Sequence, residues 1–313
     1  MRRAARYAKG VSNLLFSGSS GYSGVIFSKM KLALFALVLL AQERKPPDDV
    51  AFERDLVYGK GGGEELKLNL SRPKSAEGAL PCVLVIHGGG WAGGHRAGHD
   101  EITWKLAKRG YVSATVGYRL APRHRYPAAV EDVKCAVRYL RANAEKHGID
   151  RDRLAAIGFS AGGHLSMMLG VMGKDDGLEG DGGSADQSSQ VQCVVSFFGP
   201  ANFLAKDLPE TSQKILATFM GGTAEEKADD YKKASPVTYV SKGDAPMLLF
   251  QGTKDPLVPH SQALAMLDAM TAAGVPGRVE LLPGAQHGWG GPEAARTEEA
   301  TYAFLDLHLK KNK

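Results

Sequence analysis

The stretch from Leu154 to Gly170 constrains this chain more than any other. Leu154-Ala-Ala-Ile-Gly158 is an apolar run that reads as a buried strand, and His164-Leu-Ser-Met-Met-Leu-Gly170 has the apolar spacing of a helix. Between them lies Gly158-Phe-Ser-Ala-Gly162, so a serine with a glycine two residues away on each side stands where a strand turns into a helix. So tight a turn strains the serine backbone, and a side chain at either glycine would collide with the neighbouring strand or helix. The outcome is a hydroxyl exposed at a helix N-terminus, where the helix dipole favours developing negative charge. Glycine and serine are both common, so the pattern is weak until the rest of the chain supplies its partners.

The flanking sequence gives an alternating order of elements. Phe52 to Tyr58 and Glu65 to Leu70 alternate as strands about Gly59-Lys-Gly-Gly-Gly, a hairpin pattern. Pro81 to His87 reads as a buried strand, residues 98–109 as a helix and Tyr111 to Tyr118 as a strand. A helix follows Pro127, from Ala128 to Lys146, with Val130, Val133, Val137 and Leu140 on one stripe. Residues 173–190 are polar and glycine-rich and read as a mobile loop. Val191 to Phe198 is the next strand, and residues 201–242 hold short helical pieces (Ser212 to Met220, Glu225 to Lys233) that read as a small lid. Met247 to Gln251 and Arg278 to Leu282 are the last strands, with helices over 260–274 and Pro292 to Leu309. Strands alternating with helices predict an α/β fold whose mostly parallel sheet is covered on both faces.

Charge divides the chain. Residues 1–45 carry eight basic residues and one acid, a net of +7, whereas the remainder carries 31 basic and 33 acidic residues, a net of −2. The overall charge of +5 therefore belongs to the leader, and no basic face is implied for a nucleic acid partner. Within that leader, Lys29-Met30-Lys31 precedes the apolar run Leu32 to Leu40 and then Ala41, the layout of a secretory signal beginning at Met30, with residues 1–29 upstream of it. Such a run is too short to span a bilayer, which needs about 20 apolar residues. Export to the periplasm or beyond is the expectation, with residues 46–313 as the catalytic domain. Cys82, Cys135 and Cys193 show no metal-ligand spacing, no histidine pair does either, and no metal is expected.

A nucleophilic serine needs a base, the base needs an orienting acid, and the oxyanion needs donors. Downstream of Ser160, Gly252-Thr-Lys-Asp255 follows one strand and Pro283-Gly-Ala-Gln-His287-Gly follows another, so Asp255 and His287 both leave carboxyl ends of strands, where open α/β sheets place their sites. Asp244 competes for the acid's role but precedes its strand. His87 belongs to the glycine loop; His95, His99, His124 and His164 precede the acid, His260 follows it too closely, and His147 and His308 read as helix-end surface residues. In His87-Gly88-Gly89-Gly90-Trp91, consecutive glycines let a backbone approach a substrate, so the N–H groups of Gly89 and Gly90, with that of Ala161, form the expected oxyanion hole. Trp91 and Trp289 flank the two loops, as partly buried packing or as walls for a sugar ring or aryl group. Glu131 and Asp132 read as a structural pair with Arg119 or Arg138.

These motifs, together with Tyr118-Arg-Leu-Ala-Pro122 and Tyr126-Pro-Ala-Ala-Val-Glu-Asp132, identify a resemblance. Over roughly residues 50–311 the chain resembles the esterase branch of the α/β-hydrolases related to hormone-sensitive lipase, in the capless bacterial group of acetyl-xylan and feruloyl esterase-like proteins. The resemblance implies an eight-stranded sheet, a Ser160–His287–Asp255 triad, a Gly89, Gly90 and Ala161 oxyanion hole, no cofactor and a small-molecule ester substrate, carbohydrate-linked in some relatives. Phe159 departs from the pattern, since lipase-like relatives carry an acid before the serine, and this weakens any expectation of long-chain specificity. An amidase or peptidase-like hydrolase such as an arylformamidase would use the same triad, and an inactive binding protein of this fold is the remaining alternative.

Overall fold

Alternation along the strands decides the layering. In β3 (Leu80–Ile86), Cys82, Leu84 and Ile86 belong to one buried cluster, and Val83 and Val85 to another. The same division runs through β5 (Ile149–Phe159), where Leu154 and Ala156 face one side and Ala155 and Ile157 the other. A strand buried on both faces must be covered on both, and it is. On one side lie α2 (Ala128–Ala142), α4 (Ala161–Val171) and α7 (Ser261–Ala273), with Val133, Leu165 and Met266 in the core. On the other side α1 (Asp100–Lys108) and α8 (Gly291–Leu309) contribute Leu106, Tyr302 and Leu305. The structure, a computed structural model, describes residues 45–310. The expected signal from Met30 falls outside the described residues.

The remaining strands are β1 (Val50–Gly61), β2 (Glu64–Pro73), β4 (Val112–Val116), β6 (Cys193–Phe197), β7 (Met247–Gly252) and β8 (Gly277–Leu282). They form one eight-stranded sheet in the order β1-β2-β4-β3-β5-β6-β7-β8. The first two make the expected hairpin, β2 is antiparallel to β4, and every pairing from β4 to β8 is parallel. The carboxyl ends of β3, β5, β7 and β8 therefore open on the same rim. The stripe predicted on α2 is fully buried at Val130, Val133, Val137 and Leu140. That helix stops at Ala142 rather than Lys146, and a separate turn, α3 (Ala144–His147), follows. His147, expected at the surface, is buried.

The loop expected to be mobile is anchored. Lys134, Arg138 and Arg141 lie on α2 and are at most 8% exposed. Lys134 Nζ donates to the carbonyls of Gly173 (3.1 Å) and Gly177 (2.8 Å) and pairs with Glu179 at 2.8 Å. Arg138 pairs with Glu179 and donates to the Gly183 carbonyl, while Arg141 donates to the carbonyls of Ser188 and Gln190. A glycine-rich loop exposes many carbonyls, and three desolvated cations need acceptors, so each meets most of the other's need, with Arg138 Nη2 left without a partner among the described residues.

Candidate active site

Ser160 sits at φ 54° and ψ −119°, the strained conformation the flanking glycines permit. A Cβ at Gly158 would stand 1.9 Å from the Gly162 carbonyl oxygen, and one at Gly162 would stand 2.1 Å from that of Ile86, so neither position tolerates a side chain. The Ser160 N–H donates to the Phe197 carbonyl at 2.9 Å, which ties the turn to β6.

The other two loops are joined to each other. Lys254 N–H donates to the Ala285 carbonyl at 2.9 Å, and Gly284 N–H to Thr253 Oγ1 at 2.8 Å. This holds the Asp255 loop beside the His287 loop. The Asp255 side chain is fully buried, and its four acceptor contacts are met: Oδ1 accepts from the N–H of Leu257 (2.8 Å) and Val258 (2.9 Å), and Oδ2 from Gln251 Nε2 (3.0 Å) and His287 Nδ1 (2.7 Å). Burial alone would raise its pKa, but the bonds from His287 and the two N–H groups outweigh burial and hold it below the ordinary carboxylate value. A carboxylate only accepts, so His287 Nδ1 carries the proton and Nε2 presents a lone pair. That lone pair faces Ser160 Oγ at 2.9 Å. The three residues singled out in sequence thus form one continuous chain, and Gln251 is an orienting partner that the sequence did not disclose.

The glycine loop lies over the same serine. Gly89 (φ 115°) and Gly90 (φ 59°) take positive-φ conformations that favour glycine, and both line the cavity. Ala161 begins α4, where an N–H has no intrahelical acceptor. Tyr118 fixes the loop's start, its hydroxyl donating to the His87 carbonyl at 2.9 Å and its ring stacking on the imidazole at 4.3 Å. Burial lowers the His87 pKa to about 4, so this imidazole stays neutral.

The cavity over Ser160 measures about 550 Å³. Much of its wall comes from the segment expected to be a lid. In that segment α5 (Glu210–Met220) contributes Ser212, Ile215 and Leu216, and Ser212 Oγ donates to the Leu257 carbonyl of the acid loop. A second helix, α6 (Ala228–Lys233), carries the chain back toward the sheet. Trp91 lines the cavity but is only 3% exposed, with its ring stacked on Phe219 at 4.5 Å, so it is chiefly a core residue. Trp289 lies elsewhere. It lines a neighbouring cavity of about 280 Å³, separated from the first by the shared side chains of Phe159 and Phe198, and its Nε1–H donates to Thr297 Oγ1 at 3.0 Å. Glu131 and Asp132 pair with Arg119 rather than Arg138, and Asp244 caps a turn at Ser241. Among the described residues no cluster has the makeup of a metal site, and no helix is long and apolar enough to cross a membrane.

The BD-FAE family model matches residues 68–270. Esterase LipC from Mycobacterium tuberculosis is 30% identical over 278 residues, spanning 84% of this chain and 68% of that protein. The ethyl acetate hydrolase of Pseudomonas putida is 31% identical over 80% of this chain and 78% of its own length. Against other mycobacterial esterases the chain spans less, 61% of their length. Among solved structures, a truncated carbohydrate esterase from gut microbiota superposes with a TM-score of 0.77 at 26% identity, covering 86% of this chain and all of its own. A match running from β2 into α7, with esterases among both the sequence relatives and the solved structures, shows that the chain belongs to the BD-FAE family and is an α/β-hydrolase carboxylic ester hydrolase.

Proposed function

We propose that this enzyme hydrolyses short-chain esters, carbohydrate acetyl esters among them, through an acyl-enzyme on Ser160. The observation that carries the reading is the unbroken chain from Ser160 Oγ through His287 to a fully buried Asp255, opening on an apolar cavity. His287 Nε2 takes the hydroxyl proton as Oγ attacks the ester carbonyl carbon. The carbonyl oxygen becomes an oxyanion facing the N–H groups of Gly89, Gly90 and Ala161. Asp255 holds the imidazole in one tautomer and stabilises its cation. The tetrahedral centre collapses, the alkoxide takes the proton from His287 and leaves as alcohol, and water repeats the sequence to release the acid.

The apolar wall of Leu208, Ile215, Leu216, Leu257 and Val258 supports a short acyl or aryl group, and Phe159 in place of an acid removes one charge from the rim. The names of the relatives, an ethyl acetate hydrolase and a carbohydrate esterase, point the same way. The 201–242 segment then acts as a specificity lid. A panel of p-nitrophenyl acetate, p-nitrophenyl decanoate, and acetylated and feruloylated xylo-oligosaccharides tests this on purified protein. Acetate should be turned over fastest and a fluorophosphonate should label wild type but not Ser160→Ala; preference for the decanoate would overturn the short-chain reading. We also read Met30 to Ala41 as an export signal. Amino-terminal sequencing of secreted protein should begin just after Ala41, and a mature chain retaining Met30 would contradict export.

A further inference from the structure

The chemistry above gives no task to His164, a buried imidazole on the nucleophile's own helix. His164 lies on α4, four residues beyond Ser160, with none of its surface exposed. Its two ring nitrogens reach two other elements. Trp91 Nε1–H donates to Nδ1 at 3.2 Å. An indole N–H can only donate, so Nδ1 holds a lone pair and the ring proton sits on Nε2. Nε2 then donates to the Ala234 carbonyl at 2.7 Å. The partners leave one tautomer. Burial lowers the pKa to about 4, against the bond to Ala234, and keeps the ring neutral.

What these partners belong to gives the bonds their meaning. Trp91 closes the glycine loop that holds Gly89 and Gly90 over the serine. Ala234 follows α6, where the 201–242 segment turns back to the sheet. The rings reinforce both ties: His164 stacks on Phe203 of that segment at 4.8 Å, and Trp91 stacks on Phe219 of α5 at 4.5 Å. One side chain on the nucleophile's own helix thus joins the glycine loop to the return limb of the lid segment.

We propose that His164 is a positioning residue for ester hydrolysis, clamping the glycine loop and the lid segment to the helix that carries the nucleophile. The proposal rests on the triad reading above. Oxyanion donors act only when held about 2.7–3.1 Å from the developing charge, a tolerance that a loop released by one bond would exceed. The ground-state ester contacts mainly the apolar wall, so releasing the loop slows turnover more than it weakens binding.

Three substitutions separate the ties. His164→Leu removes both, His164→Asn leaves an acceptor near the place of Nδ1, and Trp91→Phe removes the indole donor while His164 stays. With p-nitrophenyl acetate, His164→Leu and Trp91→Phe should lower kcat by roughly 10- to 100-fold with KM changed by less than about threefold, and His164→Asn should recover a good part of the loss. Amide hydrogen exchange should quicken over 87–94 and 201–242 in His164→Leu, and over 87–94 without a matching change around Ala234 in Trp91→Phe. If His164→Leu does not fold, Trp91→Phe alone decides. A kcat within about twofold of wild type in Trp91→Phe, or equal losses in His164→Asn and His164→Leu, would reduce His164 to a core residue and overturn the proposal. Because exchange is read without turnover, it judges the clamp even on an inert protein; failure of wild type itself to hydrolyse ester would count against the triad reading instead.

Discussion

The rim that carries Ser160, Asp255 and His287 and the 173–190 loop are both irregular segments, and they are held in opposite ways. The rim is held by backbone: glycine turns, amide-to-carbonyl bonds between the Asp255 and His287 loops, and carboxylate caps on nearby N–H groups. The 173–190 loop is held by side chains forty residues away, the cations of α2 on loop carbonyls and on Glu179. A backbone-built site tolerates little change of residue type at its turns but needs no distant partner. A clamp of buried charges depends on every member, since removing one leaves the others desolvated and unpaired. The contrast predicts that rim substitutions abolish activity without unfolding the protein, and clamp substitutions do the reverse.

The largest expected effect lies at the rim. Ser160→Ala should lower kcat for p-nitrophenyl acetate by at least about 10⁴-fold, and Asp255→Asn should come close to it, because an amide can donate to Nδ1 and favour the wrong tautomer. Both should melt within a few degrees of wild type. A Ser160→Ala protein that keeps its turnover would leave the triad without a role.

The clamp gives the second. Glu179→Ala strands Lys134 and Arg138, which are 0% and 1% exposed, and should cost about 3–5 kcal/mol, a Tm fall of roughly 10 °C, with kcat changed by less than about twofold. Replacing Lys134, Arg138 and Glu179 together with Met, Met and Leu should cost less than the single change, because nothing charged is then left buried. If the triple variant is the less stable of the two by thermal unfolding, the network stabilises through more than mutual charge satisfaction.

The same contrast explains what the sequence discloses. Ser160, Asp255, His287 and the glycine loop are legible because the proposed hydrolysis demands particular residue types at strand ends, and each carries its own local mark: two glycines, a turn, a triple glycine. The eight strands are legible because five of them are buried on both faces and read as apolar runs. Lys134, Arg138 and Arg141 carry no such mark. At spacings of four and three residues on a helix they look like a solvated face, and only a loop far along the chain turns that face inward. The cavity wall of Ile215 and Leu216 was hidden likewise, since a lid's packing depends on where its helix lands and not on its own pattern. Gln251 and His164 were hidden because a lone buried amide or imidazole has no sequence pattern at all; its partners define it.

Acid separates the two regions by pH rather than by substitution. Around the glycine loop, burial lowers His87 and His164 to about 4 from an ordinary 6.5. As pH falls below 6.5 the unfolded chain takes up protons that the folded one refuses, so this stability is present above 6.5 and is lost between 6.5 and about 4, at most on the order of 3 kcal/mol for each histidine. At the clamp, burial tends to raise Glu179, but bonds from Lys134 and Ser189 and the charge of Arg138 hold it below the ordinary 4.5. Its stability is therefore intact above 4.5 and is lost only as pH falls through the lowered value. Denaturant midpoints measured at pH 7.5, 5.5 and 4 should thus fall in wild type, fall less steeply in His164→Gln, and fall as steeply as wild type over this range, from a lower start, in Glu179→Gln. Parallel curves for wild type and His164→Gln would mean that the buried imidazole takes its proton without disturbing the loop it joins, and acid would no longer distinguish the rim from the clamp.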